Sequence, residues 1–165
     1  MRGAPMRGGA GRKTVSMLDL LRGENLLGIS VGDSRKKVIG KIGKPTMQDI
    51  YLATGNICYR YNDIEMAFYH VDDELCYVVF YGKGKNGRKE NFRLPRFIKR
   101  RDRILRDINY ENMIRLLEKN NIWYSVRASV GDDDKRLDVK NGSMTFYDAC
   151  EDGNFILYAL YLYHV

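Results

Sequence analysis

No run in the sequence approaches the roughly 18 continuous apolar residues of a membrane-crossing helix, so no membrane span is expected. The basic N-terminus is not followed by the apolar segment of a secretory signal, and no cysteine stands where a lipid anchor would need one. Cysteine is sparse: Cys58, Cys76 and Cys150 are odd in number and have no CxxC spacing. On or beside strands they read as small buried hydrophobes in a reducing cytoplasm. Histidine is scarcer still, with His70 and His164 at the ends of separate apolar runs. Without a His/Cys/Asp cluster at workable spacing, no metal site is expected. His70 beside Asp72 resembles an acid–base pair, but the matching position 78 residues on is Asp148. No cysteine has a recognisable catalytic partner motif. The Gly/Lys loop GKGKNGRK matches neither GxxxxGK[ST] nor a strand–GxGxxG–helix arrangement. Gly131-Asp132-Asp133-Asp134 lacks the spacing and terminal Glu of a calcium loop and reads as a solvated turn. The expectation is a non-enzymatic chain without cofactors.

What the sequence does have is concentrated in Asn56 to Tyr81, three apolar runs broken by Asn62-Asp63 and by Asp72-Asp73-Glu74. Ile57, Tyr59 and Tyr61 alternate with Cys58 and Arg60; Ile64, Met66 and Phe68 alternate with Glu65, Ala67 and Tyr69. Period two with short polar breaks predicts a three-stranded antiparallel meander. The third run, LCYVVFY, is apolar on both faces, so its second face is either covered or binds a partner.

The pattern recurs. Met66-Ala67-Phe68-Tyr69 matches Met144-Thr145-Phe146-Tyr147, and Leu75 to Tyr81 matches Phe155 to Tyr161. Upstream, the helical run Ser34 to Ile42 corresponds to Asn112 to Asn120. The expected fold is therefore α+β: two tandem repeats of a helix followed by an antiparallel β-meander, forming one helix-on-sheet layer with one open sheet face. Residues 1–15 are expected to be a disordered basic Gly/Arg arm, 16–82 the first repeat, 83–108 a basic linker, and 109–165 the second repeat.

Local signals fill in the rest. Ser16 caps a short helix through Arg22, and Ser34 or Asp33 caps one closed by Gly43 and Pro45. In that second helix Val38, Ile39 and Ile42 point inward. Asn109 or Tyr110 opens a third helix with Met113, Ile114, Leu116 and Leu117 inward and a Glu111–Arg115 pair outside. Asn141-Gly142 reads as a type I′ hairpin.

Ile29-Ser-Val-Gly-Asp-Ser-Arg-Lys-Lys-Val38, then Ile42-Gly43-Lys44-Pro45 and a meander, resembles the BamE/SmpA-like group. Duplicated in tandem, the unit is similar in architecture to the β-lactamase inhibitor protein and to bacterial cytoplasmic proteins presumed to be toxin immunity proteins. The resemblance covers residues 29–81 and, with Asn120-Asn121-Ile122 in place of the Gly-x-Pro stop, 110–163. It implies a cytoplasmic protein-binding role with a toxin-like partner.

Charge and tyrosine point to surfaces. The net charge is +7, yet Arg2, Arg7, Arg12 and Lys13 give the first thirteen residues +4. Residues 83–106 carry eleven Lys/Arg against Glu90 and Asp102, or +9, which leaves −6 for everything else. An acidic body suits a basic protein partner. The strands carry Tyr59, Tyr61, Tyr69, Tyr77, Tyr81, Tyr147, Tyr158, Tyr161 and Tyr163, and the first eight form the candidate protein-binding set. The alternative is a nucleic-acid-binding protein using the arm and Arg96, Lys99, Arg100, Arg101 and Arg103 on phosphates. The bland reading of that run is a solvated linker held by Phe97, Ile98, Ile104 and Leu105. The discriminating feature is whether the connector lies beside the open sheet face or on the helix side.

Overall fold

The computed structural model describes residues 14–82, 97–99, 108–128, 133–148 and 153–163. The strands are β1 (Met47–Ile50), β2 (Ile57–Tyr61), β3 (Ile64–Phe68), β4 (Leu75–Tyr81), β5 (Tyr124–Arg127), β6 (Asp134–Val139), β7 (Gly142–Tyr147) and β8 (Ile156–Leu162). All eight join one antiparallel sheet in the order β1-β2-β3-β4-β8-β7-β6-β5. Among the described residues the helices are short: α1 (Met17–Leu21), α2 (Arg35–Ile42) and α3 (Tyr110–Lys119).

The sheet overturns the α+β expectation of two helix-plus-meander repeats. The chain is predominantly β, and its strands form a single continuous sheet. The physical reason lies in β4 and β8, whose runs are apolar on both faces and need interior positions. They meet that need by pairing with each other, Val78 opposite Leu162, Val79 opposite Tyr161, Phe80 opposite Leu160 and Tyr81 opposite Ala159. Strand β1 was also not anticipated. All four of its residues are exposed, so it carries no apolar alternation to read.

One face of the sheet is the core. Tyr59, Tyr61, Ile64, Met66, Phe68, Val78, Phe80, Leu137, Met144, Phe146, Leu160 and Leu162 pack in a single buried cluster with Leu20 and Leu21 of α1, Val38 of α2, and Met113 and Leu117 of α3. The helices are capped as their sequences dictate, by Ser16, Ser34 and Asn109. Ile39, Ile42, Ile114 and Leu116 only lean on the core and stay half-buried. At the end of α3, Asn121 takes the left-handed conformation where glycine is usual. Ile122 N donates to Leu117 O at 2.9 Å and Asn121 N to Glu118 O at 3.0 Å, a Schellman closure. The expected Glu111–Arg115 pair is replaced: Lys135 Nζ reaches Glu111 Oε1 at 3.5 Å, and Arg115 donates to Asn112 Oδ1 at 3.3 Å.

Helix starts are tied to the two central strands. Gly32 N donates to Leu75 O and Leu75 N to Asp33 O, both 2.9 Å, just ahead of α2. Ahead of α3, Tyr110 N donates to Phe155 O at 2.8 Å and Leu157 N to Ile108 O at 3.0 Å. Of the connector, residues 97–99 are described. Phe97 and Ile98 are buried in the core cluster, Phe97 meets the Tyr61 ring at 6.2 Å, and Val15 pairs with Ile98.

The β6–β7 hairpin forms, but not as a type I′ turn at Asn141-Gly142. Val139 pairs with Gly142, so Lys140 and Asn141 are the loop. The left-handed non-glycine positions among the described residues are Leu27, Asn62, Asp73 and Asn121. Gly142 is needed for a different reason: a Cβ there would run into the Tyr161 carbonyl of β8. Gly40, in the middle of α2, has nothing within 4 Å of such a Cβ. Gly142→Ala is therefore expected to cost about 2 kcal/mol or more by forcing two strands apart. Gly40→Ala should stabilise by about 0.5–1 kcal/mol. Urea unfolding of both variants checks the pair, and equal effects would contradict the register.

Candidate functional site

Alternation along the strands sends a second set of side chains to the sheet face away from the helices. Register aligns them in rows. Arg60 stands opposite Glu65, Glu65 opposite Val79, Val79 opposite Tyr161, and Tyr161 opposite Ser143. Tyr77 and Tyr81 are two residues before and after Val79 on the same face of β4. Val79 is therefore framed by a carboxylate on one side, a phenol on the other, and a phenol above and below.

The frame is compact. Tyr77 and Tyr161 have ring centroids 6.2 Å apart, Tyr81 and Tyr158 6.5 Å, and Tyr161 and Tyr163 stack at 6.3 Å. Ser143 Oγ and Tyr163 OH lie 3.2 Å apart. Beneath them Val79, Ala67 and Ala159 have no exposed surface, and Glu65 is 1 % exposed. The tyrosines themselves remain half-buried, Tyr163 exposed.

Glu65 is the group that costs most in this arrangement. Its Oε1 accepts from the Tyr81 hydroxyl at 3.4 Å and its Oε2 from Arg60 Nε at 3.3 Å. Both bonds are long, and Arg60 is itself half exposed. Burial therefore dominates and pushes the Glu65 carboxyl above its ordinary range, with the neighbouring Asp49 adding to the rise and Tyr81 opposing it. The phenols respond in turn. Burial, then the Glu65 charge, pushes Tyr77 up to about 12, and the same two causes raise Tyr81 further.

The sequence-derived set divides. Tyr77, Tyr81, Tyr158 and Tyr161 come together, and Tyr163 joins them. Tyr59 and Tyr61 do not belong to the site: β2 turns them toward the helices, where they are 6 % and 4 % exposed. Tyr59 packs edge-on against Phe68 at 5.1 Å, and the Tyr61 hydroxyl donates to Gly43 O at 3.0 Å, bracing the end of α2. Tyr69 lies past the end of β3 and is half exposed beside Thr54, Asn56, His70, Val71 and Asp72, around a shallow hollow of about 420 Å³. Tyr147 faces the same way as the cluster but sits at the other end of β7, opposite Ile156. Lys99 is exposed; Arg96, Arg100, Arg101 and Arg103 lie outside the described residues, as do residues 1–13, Cys150 and His164. Glu65, Arg60 and Ser143 were not anticipated. The available signal was Glu65 itself, a lone carboxylate between Ile64 and Met66 on a strand destined for the interior. No group of three or more His, Cys, Asp or Glu side chains placed to hold a metal occurs among the described residues.

No family model matches the sequence, and no curated protein matches it. Among solved structures, the chain is similar to an extracellular protein containing a SCP domain from Bacillus anthracis. The identity is 12 %, the TM-score 0.43, and the match covers 98 % of this chain and 49 % of the other. This chain spans about half the length of that protein, and a likeness at this level assigns neither fold family nor function.

Burial of Glu65 has a measurable consequence. Its folded-state pKa lies above the ordinary 4.5, so between the two values the native protein holds a proton that the unfolded chain has released. Raising the pH through that window removes stability, and above it the buried charge is a standing cost. Glu65→Gln should therefore be more stable than the parent at neutral pH by on the order of 1 kcal/mol, with the advantage gone near pH 4. Urea midpoints at both pH values test this. A variant that is less stable at neutral pH would mean that the Arg60 ion pair outweighs burial.

Proposed function

We propose that the chain is a non-enzymatic protein-binding module that docks its partner on the tyrosine cluster of β4 and β8. The observation that carries this is the contact set of Tyr77, Tyr81, Tyr158, Tyr161 and Tyr163 over a fully buried floor. Tyrosine gives a large rigid contact area with a polar tip at small entropic cost, and hot spots of interfaces are rich in it. A buried floor means that the rings are held in place before a partner arrives, which lowers the cost of association.

The described part of the basic connector supports a protein partner over nucleic acid. Phe97 and Ile98 are packed on the helix side, against Tyr61 and Val15, and not beside the tyrosines. The charge of −6 outside the arm and connector favours a basic partner. In its finer form the proposal is an immunity or inhibitor protein that neutralises a basic toxin.

The test is capture of a partner from native cell extract at low and high salt, with and without nuclease. The parent is compared with Tyr77→Ala and Tyr161→Ala, each shown to be folded by circular dichroism. One protein retained at high salt and indifferent to nuclease is expected, with each substitution weakening it about tenfold or more. Capture unchanged by both substitutions, or recovery of nucleic acid alone, overturns the proposal.

A further inference from the structure

The frame around Val79 has a chemistry of its own beyond contact area. Three phenols and one carboxylate surround a single apolar side chain, and the charged group is almost wholly shielded from water. Nearby formal charges do not cancel. Among the described residues Asp49, opposite Cys58 on the same face, joins Glu65, and Arg60 is the cation beside them. Elsewhere on this face, among the described residues, Arg127 Nε pairs with Asp138 Oδ2 at 3.0 Å and Arg136 Nε with Asp134 Oδ2 at 2.7 Å. A net negative locus therefore sits under aromatic rings, at the centre of the sheet.

We propose that this frame is a receptor for a basic side chain, arginine or lysine, presented by the protein partner. The inference rests on the docking proposal above and adds the chemistry of the occupant. A cation seated among the rings of Tyr77, Tyr81 and Tyr161 meets the negative faces of the π-systems. Beneath the rings, the Glu65 carboxylate attracts it through a medium that water does not screen. The molecule already uses the first half of this chemistry elsewhere: Lys135 Nζ lies 4.9 Å from the Tyr110 ring centre and 4.2 Å from that of Phe155. Burial raises the Tyr77 pKa first, and the Glu65 charge adds to the rise, in keeping with a negative potential at the rings. The proposal also gives the buried carboxylate a use, since Glu65 otherwise costs stability at neutral pH.

The experiment is an NMR titration of the tyrosine ring resonances in the full chain. The probes are N-acetyl-arginine-amide, N-acetyl-lysine-amide and the uncharged isostere N-acetyl-citrulline-amide. Saturable shifts of Tyr77, Tyr81 and Tyr161 with both cationic probes, and none with citrulline, are expected. In Glu65→Gln, with aromatic dispersion showing the fold intact, binding should weaken about fivefold or more. Rings unmoved by the cations, citrulline acting like arginine, or full affinity in Glu65→Gln each overturn the proposal. So does an oligothymidylate that moves these rings when the cationic probes do not. Carrying Glu65→Gln through the capture assay separates the two proposals. A partner kept by Glu65→Gln but lost from Tyr77→Ala and Tyr161→Ala ends the cation receptor and leaves the docking face standing. A partner kept by all three ends the docking face itself.

Discussion

Everything in this structure depends on the antiparallel pairing of β4 with β8. Those strands carry the long apolar runs, and an unpaired edge with that composition would be an aggregation template. Pairing them removes both edges at once and leaves β1 and β5, four residues each, at the rims of the sheet. The same seam positions the helices, because backbone hydrogen bonds tie the turns ahead of α2 and α3 to the first residues of β4 and β8. Short helices with few fully buried positions, such as α2 with Val38 alone, are then held by their attachment as much as by their own packing.

The seam also creates the tyrosine cluster. Tyr77 and Tyr81 come from β4, and Tyr158, Tyr161 and Tyr163 from β8 or its end, so neither strand alone could assemble the set. Each ring contact within it crosses the seam or runs along one strand beside it. Destabilising the pairing would therefore disperse the candidate site as well as open the core. Site and stability share one element, which makes folding controls necessary for any variant of it.

How much of this was legible in the sequence follows from period two. Alternation marked β2 and β3 and their turn, and the double-sided apolarity of LCYVVFY marked a strand whose second face is covered or binds a partner; that face is the open one of Tyr77, Val79 and Tyr81. The helix caps Ser16, Ser34 and Asn109 were readable because capping is local chemistry. The global arrangement was not. A repeat of pattern suggested two helix-plus-meander repeats in one layer, whereas the chain is mainly one eight-stranded sheet with short helices, and the partner of β4 lies some 80 residues away in β8, a pairing that no local signal encodes. Facing was the second loss. Tyrosine serves a core and a surface equally well, so nothing in the residue type separated Tyr59 and Tyr61 from Tyr77 and Tyr161; the register did. Strand β1 was invisible because exposed Met-Gln-Asp-Ile has no burial pattern.

Glu65 is where local and global preferences disagree most clearly. A glutamate is a poor choice for the middle of an interior strand, and the sheet surrounds it with Ile64, Met66, Val79 and Ala67, all fully buried. A hydrophobic residue there would fit the packing better, as buried ion pairs are often replaceable without loss of stability. Departures of this kind concentrate at sites where a protein needs something other than stability. Glu65 also lies on the sheet face opposite the only described anchor of the basic connector, Phe97 and Ile98. Phe97 and Ile98 thus pack on the helix side, while a shielded carboxylate lies beneath the tyrosines on the other face, where its charge meets an occupant from the open side.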